Sequence, residues 1–197
     1  MAAANFERLR EEAARLGITL ESSHLDRFRS YLDLLLGWNR KINLTAITEP
    51  EQVLDKHFLD SLAAAPLVPA GRLIDVGAGA GFPGIPIALV RPDVQVSLLE
   101  STGKKAAFLR TAVHQLGLSS SVLEIRLEQY QGPKFDSAIS RATFAPAEWL
   151  ERARPLVQSG GSIFLMMGRE ELPSGATSVH EYALPGADSR RIGRYSA

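Results

Sequence analysis

The stretch "IDVGAGAGFPGIP", residues 74–86, carries two nucleotide-binding spacings at once. Gly79, Gly81 and Gly84 form G-x-G-x-x-G, the spacing of dinucleotide loops, while Asp75, Gly77, Gly79 and Gly81 form D-x-G-x-G-x-G, a spacing suited to S-adenosylmethionine. Under either reading an apolar strand runs into a glycine turn and the turn into a helix, which opens a βαβ unit. Glycine permits positive φ and lets a ligand touch the backbone, and the helix that follows offers N–H groups. The other residues separate the two readings. Pro83 and Pro86 crowd the first helical turn and Pro92 stops the helix early, which makes a poor pyrophosphate site. Asp75 adds a negative charge that repels phosphate. S-adenosylmethionine has no phosphate; its ammonium needs a carboxylate and its carboxylate needs N–H donors, which Asp75 and the loop supply. The expected cofactor is therefore S-adenosylmethionine.

Beyond the loop, "RLIDVG", "VQVSLLE", "VLEIRL", "FDSAIS" and "SIFLMM" read as strands, separated by helical segments such as "TGKKAAFLRTAVHQLGL" and "APAEWLERARP". This alternation predicts an α/β, doubly wound, mostly parallel sheet of Rossmann-like type over residues 71–197. Ligands of such sheets lie at the carboxyl ends of the strands, where Gly77, Glu100, Leu127 with Glu128, Arg141 and Met167 stand. Residues 1–70 read as helices only, an N-terminal helical extension packed on the core. Leu25, Phe28, Leu32 and Leu35 form a helical stripe, and Ser23-x-x-Asp26 and Thr48-x-x-Glu51 have the capping-box form. "ATSVHEYAL" suits a strand, but the tail "DSRRIGRYSA" has only Ile192 and Tyr195 as large apolar residues.

At 197 residues and 45% hydrophobic, the chain suits one globular domain with a modest extension. Its start is studded with charges and no apolar run approaches about 18 residues, so neither signal peptide nor membrane span is expected. The absence of Cys excludes disulfides and thiol catalysis, and the four His show no metal-ligand spacing, so no metal is expected. A formal net charge of +0 argues against a nucleic-acid partner unless the cations gather on a patch.

Several side chains stand out. Glu100 ends the second strand, where a ribose diol meets a carboxylate, and Leu127 with Glu128 offers an apolar surface and an acid to an adenine. Lys104 and Lys105 sit at the unfavourable end of a helix dipole, which marks either phosphate contact or a solvated basic face. His57, Asp60 and Ser61 share one helical face. A hydrolase triad draws its members from separate elements, so these residues suit a polar face against the loop or a substrate mouth. Arg141 ends an otherwise apolar strand and is the most pointed basic residue.

Together "LLGWNRKINLTAIT", "KHFLDSL", "IDVGAGAGFPGIPIAL", "LLESTGKKAAFL" and "FDSAISRA" resemble the RsmG/GidB family, bacterial methyltransferases that modify a guanine of small-subunit ribosomal RNA at N7. The resemblance spans about residues 25–170. It implies a class I S-adenosylmethionine-dependent methyltransferase fold, a 16S ribosomal RNA or small-subunit partner, a cytoplasmic location and a monomer. Carried over by position, it implies cofactor contacts at Gly77, Phe82, Leu127, Glu128 and Arg141, to which the loop adds Asp75, Gly79 and Gly81 and the general methyltransferase pattern adds Glu100. Arg141, His57 and Asp60 are the catalytic candidates. Arg40, Lys41, Lys104, Lys105, Arg190 and Arg191 are those for RNA. Phe82, Phe144 and Trp38 are candidates for stacking on a cationic base. Two departures stand out: Met167-Gly168 replaces the family's Lys-Gly, and "RRIGRYSA" is a weak final strand, so an altered last sheet edge is expected. Competing readings are a small-molecule or protein acceptor, an NAD-dependent oxidoreductase supported only by G-x-G-x-x-G, and a non-enzymatic cofactor-binding protein.

Overall fold

The computed structural model describes residues 4–168, 170–186 and 189–197. Seven strands form one sheet in the order β3-β2-β1-β4-β5-β7-β6. Strands β1 (Gly71–Val76), β2 (Val94–Leu99), β3 (Ser121–Leu123), β4 (Phe135–Arg141) and β5 (Val157–Met167) run parallel. β7 (Arg190–Ser196) runs antiparallel between β5 and β6 (Ser178–Tyr182). The order reverses between β1 and β4, so a crevice opens beyond their carboxyl ends, the usual ligand position of a doubly wound sheet.

The helices cover both faces. α1 (Phe6–Arg15), α2 (Ser22–Asn39), α5 (Gly84–Val90) and α6 (Gly103–Gln115) share one apolar cluster with the sheet, including Leu9, Phe28, Phe58, Ile85 and Phe108. α7 (Pro146–Ala153) closes the other face, where Trp149 packs with Phe135 and Ile163 and donates its indole N–H to the Phe164 carbonyl at 2.9 Å. Among the described residues no helix is long and apolar enough to cross a membrane.

Residues 50–62 form a continuous helical rod of three parts: α3 (Pro50–Val53), a π turn (Leu54–Leu59) and α4 (Asp60–Leu62). π turns widen the helix and re-aim its side chains. The two capping boxes do not form as the sequence predicts. α2 starts two residues earlier, with Glu21 at the N-cap and His24 Nδ1 accepting the Glu21 N–H at 3.1 Å. Glu49 caps α3, and Glu51 instead accepts the Asn5 N–H and the Arg8 guanidinium, tying α1 to the rod.

Two strand expectations are also corrected. β3 ends at Leu123 rather than Leu127, because its one neighbour, β2, ends at Leu99, opposite Leu123. Leu127 and Glu128 begin a short 3-10 turn instead. The tail is no frayed edge: β7 is an interior strand, and the edge is β6. Its ladder needs only backbone, and its two apolar residues go one to each face, Ile192 into one cluster and Tyr195 into the other.

Candidate active site

The loop after β1 folds around three residues of positive φ, Gly77 (72°), Gly79 (57°) and Gly81 (94°). At Gly77 a Cβ would lie 2.4 Å from the Thr143 methyl, and at Gly81 2.4 Å from Ile85, so glycine is required sterically as well as conformationally. Polar bonds hold the loop from below. Gly84 donates its N–H to Asp75 Oδ2 at 2.7 Å, and the buried Tyr31 hydroxyl donates to the Ala80 carbonyl at 2.5 Å. Glu100 accepts the Gly79 N–H at 3.0 Å and the Thr102 N–H at 2.7 Å.

A cavity of about 570 Å³ opens over this loop at the ends of β1 and β4. Its wall brings together Gly77, Gly79, Phe82, Glu100, Leu127, Glu128 and Arg141 from four separate segments of chain. Of the expected cofactor contacts Gly81 lies off the wall, its N–H donated to the Ala78 carbonyl at 2.7 Å, and so does Asp75. Asp75 is fully buried under the loop, so it cannot meet a cofactor's ammonium; it anchors the turn. Oδ1 has no hydrogen-bond partner, and burial pushes its pKa up to about 7, against the Gly84 N–H and the Arg141 charge, which pull it down.

Arg141 closes β4 and reaches back to the rod of residues 50–62. It donates to Asp60 Oδ2 at 2.8 Å, to the Lys56 carbonyl at 3.2 Å and to His57 Nδ1 at 3.1 Å, with its guanidinium 5.2 Å from the centroid of the Phe82 ring. A guanidinium only donates, so His57 Nδ1 accepts and Nε2 carries the proton, which it donates to Thr45 Oγ1 at 2.8 Å. The His57 ring lies flat on Phe82, centroids 4.5 Å apart. Burial and the Arg141 charge depress its pKa to about 3, so it is neutral at physiological pH with both nitrogens engaged. Thr45 is held in turn by Asn39, whose side chain accepts from the Leu44 and Thr45 N–H groups and donates to the Thr45 carbonyl.

Asp60 is wholly buried and off the cavity wall. Besides Arg141 it receives the Tyr182 hydroxyl at 2.7 Å and lies 2.7 Å from Arg190 Nε. Of the three catalytic candidates, then, Arg141 and His57 line the cavity and Asp60 stands behind them. The π turn within residues 54–59 carries His57 and places it and Asp60 against the same guanidinium. Asn39, Thr45, Tyr31 and Tyr182 were not singled out from sequence as polar partners; the one signal for Asn39 and Thr45 was their place in "WNRKINLT".

The RNA candidates divide. Lys105 is on the wall and Lys104 exposed beside it; Arg40 and Lys41 are exposed at the end of α2, ahead of Leu44 on the wall. Arg190 and Arg191 are ion-paired through Nε, with Asp60 at 2.7 Å and with Glu181 at 2.9 Å. Of the stacking candidates, Phe82 and Phe144 line the cavity, while Trp38 packs edge-on against Phe108 away from it. Met167, where the family has Lys, is buried beside Trp149 in the core. Ala142, on the wall after Arg141, has φ +54°, a strained value for a non-glycine residue and a frequent companion of functional sites.

The chain covers 94% of its length in matching the ribosomal RNA small subunit methyltransferase G of Chromohalobacter salexigens, at 38% identity over 93% of that protein. The protein of the same name from Alkalilimnicola ehrlichii is 42% identical over 88% of this chain and 81% of its own. In fold the chain is similar to cofactor-bound Rv0187 from MTB, with a TM-score of 0.58, 18% identity and coverage of 85% and 89%. Residues 24–191 match the family described as rRNA small subunit methyltransferase G. The chain belongs to that family of methyltransferases.

Proposed function

We propose that this protein transfers the methyl group of S-adenosylmethionine to N7 of a guanine in 16S ribosomal RNA, free or within the small subunit. The observation that carries the N7 assignment is that, among the described residues, the cavity wall has no free base. His57 is neutral and doubly bonded, both Glu100 oxygens accept N–H groups, and Glu128 is paired with Arg152. An acceptor hydroxyl or amine would need a proton removed, whereas guanine N7 presents a lone pair on its major-groove edge.

The cavity's donor set fits the cofactor. S-adenosylmethionine supplies an activated methyl on a sulfonium. Gly77 and Gly79, having no side chains, let its carboxylate approach the unshared N–H groups of Arg141. Glu100 suits the ribose hydroxyls, and half-buried Leu127 with Glu128 suits the adenine. Phe82 holds the floor under Arg141 and His57. The chain's residues act by orientation, which is worth about 10⁵ M or more of effective molarity when the reacting atoms are aligned. Phe144, half-buried on the wall and stacked on Trp149 at 6.0 Å, offers a ring to the cationic product base. Residues 1–70 serve as an extension whose rod and loop complete the cavity of the sheet portion. The protein works as a cytoplasmic monomer, where ribosomal subunits are assembled.

The test is methyl transfer from labelled S-adenosylmethionine to unmodified 16S RNA and to small subunits, with nucleoside digestion. The expected product is N7-methylguanosine; label in another base or in a ribose hydroxyl refutes the N7 assignment.

A further inference from the structure

The neutral overall charge poses a question that the distribution of ion pairs answers. Most arginines are committed: Arg8, Arg10, Arg15, Arg29, Arg91 and Arg110 each lie within ion-pair distance of a carboxylate, as do Arg141, Arg152, Arg190 and Arg191. Two cations on the cavity wall are not. Among the described residues, neither Lys105, in the first turn of α6, nor Arg126, just after β3, has an acidic partner, although Glu100 and Glu128 line the same cavity. Glu100 is occupied by backbone N–H groups and Glu128 by Arg152. Lys104, exposed, adds a third cation beside the half-buried Lys105.

These charges do not suit the cofactor. S-adenosylmethionine carries a sulfonium and an ammonium against one carboxylate, a net positive charge, and its carboxylate is provided for by Arg141. That leaves the cofactor no anionic group for Lys105 or Arg126 to meet. Lys105 also sits against the helix dipole, a cost with no offsetting contact inside the protein. Both features are resolved by an anion that arrives with the second substrate.

We propose that Lys105 and Arg126 form a phosphate clamp that grips the RNA backbone on the β2–β3 side of the cavity. The clamp supplies sequence-independent affinity and fixes the register of the target guanine against the cofactor. It rests on the RNA reading given above and names the residues through which that substrate is held. It also gives a chain of zero net charge a local means to bind RNA: two cations without an ion pair among the described residues stand together at the mouth of the cavity.

The decisive measurement is the salt dependence of binding to unmodified 16S RNA from about 50 to about 200 mM, for wild type, a Lys105→Gln/Arg126→Gln double variant and a Lys134→Gln control. Each phosphate contact contributes a slope of about 0.7–0.9 in log K against log salt, so the double variant should lose about 1.4–1.8 of slope and the control nothing. A charge-preserving Lys105→Arg/Arg126→Lys variant should restore it. Affinity for S-adenosylmethionine without RNA, by calorimetry, should be unchanged in all of them. An unchanged slope in a double variant that keeps wild-type thermal stability overturns the clamp. So does a tenfold loss of cofactor affinity, which would make these residues part of the cofactor site. If wild type binds no RNA and methylates none, the substrate reading itself fails and the clamp with it.

Discussion

At the scale of single residues, Asp75 shows what a motif letter conceals. The sequence places an acid before the glycines, and the natural inference is a charge facing the ligand. The structure puts that acid underneath, fully buried, with one oxygen on the Gly84 N–H and the other without a partner. Its role is to fix the helix start relative to the loop. Folding shifts its pKa from 3.8 to about 7, so between those values the folded chain holds one proton more than the unfolded chain. This contribution to stability is complete below about pH 3.8 and is lost as pH rises through about 7. His57 runs the other way. Its pKa falls from 6.5 to about 3, so its contribution is complete above about pH 6.5 and is lost as pH drops toward 3. The two oppose each other over the window they share. Asp75→Asn keeps an acceptor for Gly84 and removes only the first effect. In urea unfolding, the variant should gain on wild type between about pH 4 and about pH 8, by at most about 4 kcal/mol. A difference independent of pH would mean that Asp75 ionises normally in the fold.

Elements were legible where hydrophobic period and turn chemistry agreed. The strand–glycine loop–helix unit around Gly77, the strands β1, β2, β4 and β5, and the helices α2, α6 and α7 all follow from local pattern. The misread parts depend on neighbours distant in the chain. β3 is short because β2 ends opposite Leu123, and Leu127 thereby reaches the cavity from a turn rather than a strand. The π turn in residues 54–59 has no spelling of its own; what marks it is that His57 and Asp60 meet one guanidinium delivered by β4. β7 reads as polar because its arginines are paired across the sheet edge and with buried Asp60, while Ile192 and Tyr195 each serve a different face. Ile192 is therefore a core residue, 1% exposed, in a tail that looks dispensable. Ile192→Ala should cost about 2–5 kcal/mol in chemical denaturation, the range for truncating a buried aliphatic side chain. A loss under about 0.5 kcal/mol, the usual effect of a surface change, would return the tail to a frayed edge.

At the scale of the whole molecule, the cavity belongs to no single part of the chain. Asp60 from the N-terminal helical segment joins Arg141 of β4, Tyr182 of β6 and Arg190 of β7, so that segment and the last strands of the sheet meet at one buried carboxylate behind the site. The apolar cluster on that face likewise runs without a break from Phe6 through Phe58 to the sheet residues Phe164 and Ile192. A helical extension that shares its core and the buried Asp60 network with the sheet has little to stabilise it alone, and its unfolding should be inseparable from that of the sheet. The two tryptophans allow this to be read directly. Trp38 lies in the N-terminal helical segment and Trp149 on the opposite face of the sheet. In a Trp149→Phe variant fluorescence reports only the helical segment, and in a Trp38→Phe variant only the far face. If the chain is one cooperative unit, each variant's fluorescence midpoint in urea coincides with its own far-UV circular dichroism midpoint. If Trp38 fluorescence changes at lower urea than the dichroism of the same variant, the first 70 residues unfold on their own. His57 and Leu44 would then leave the cavity while the sheet still stood, and the site would be assembled by docking rather than by folding.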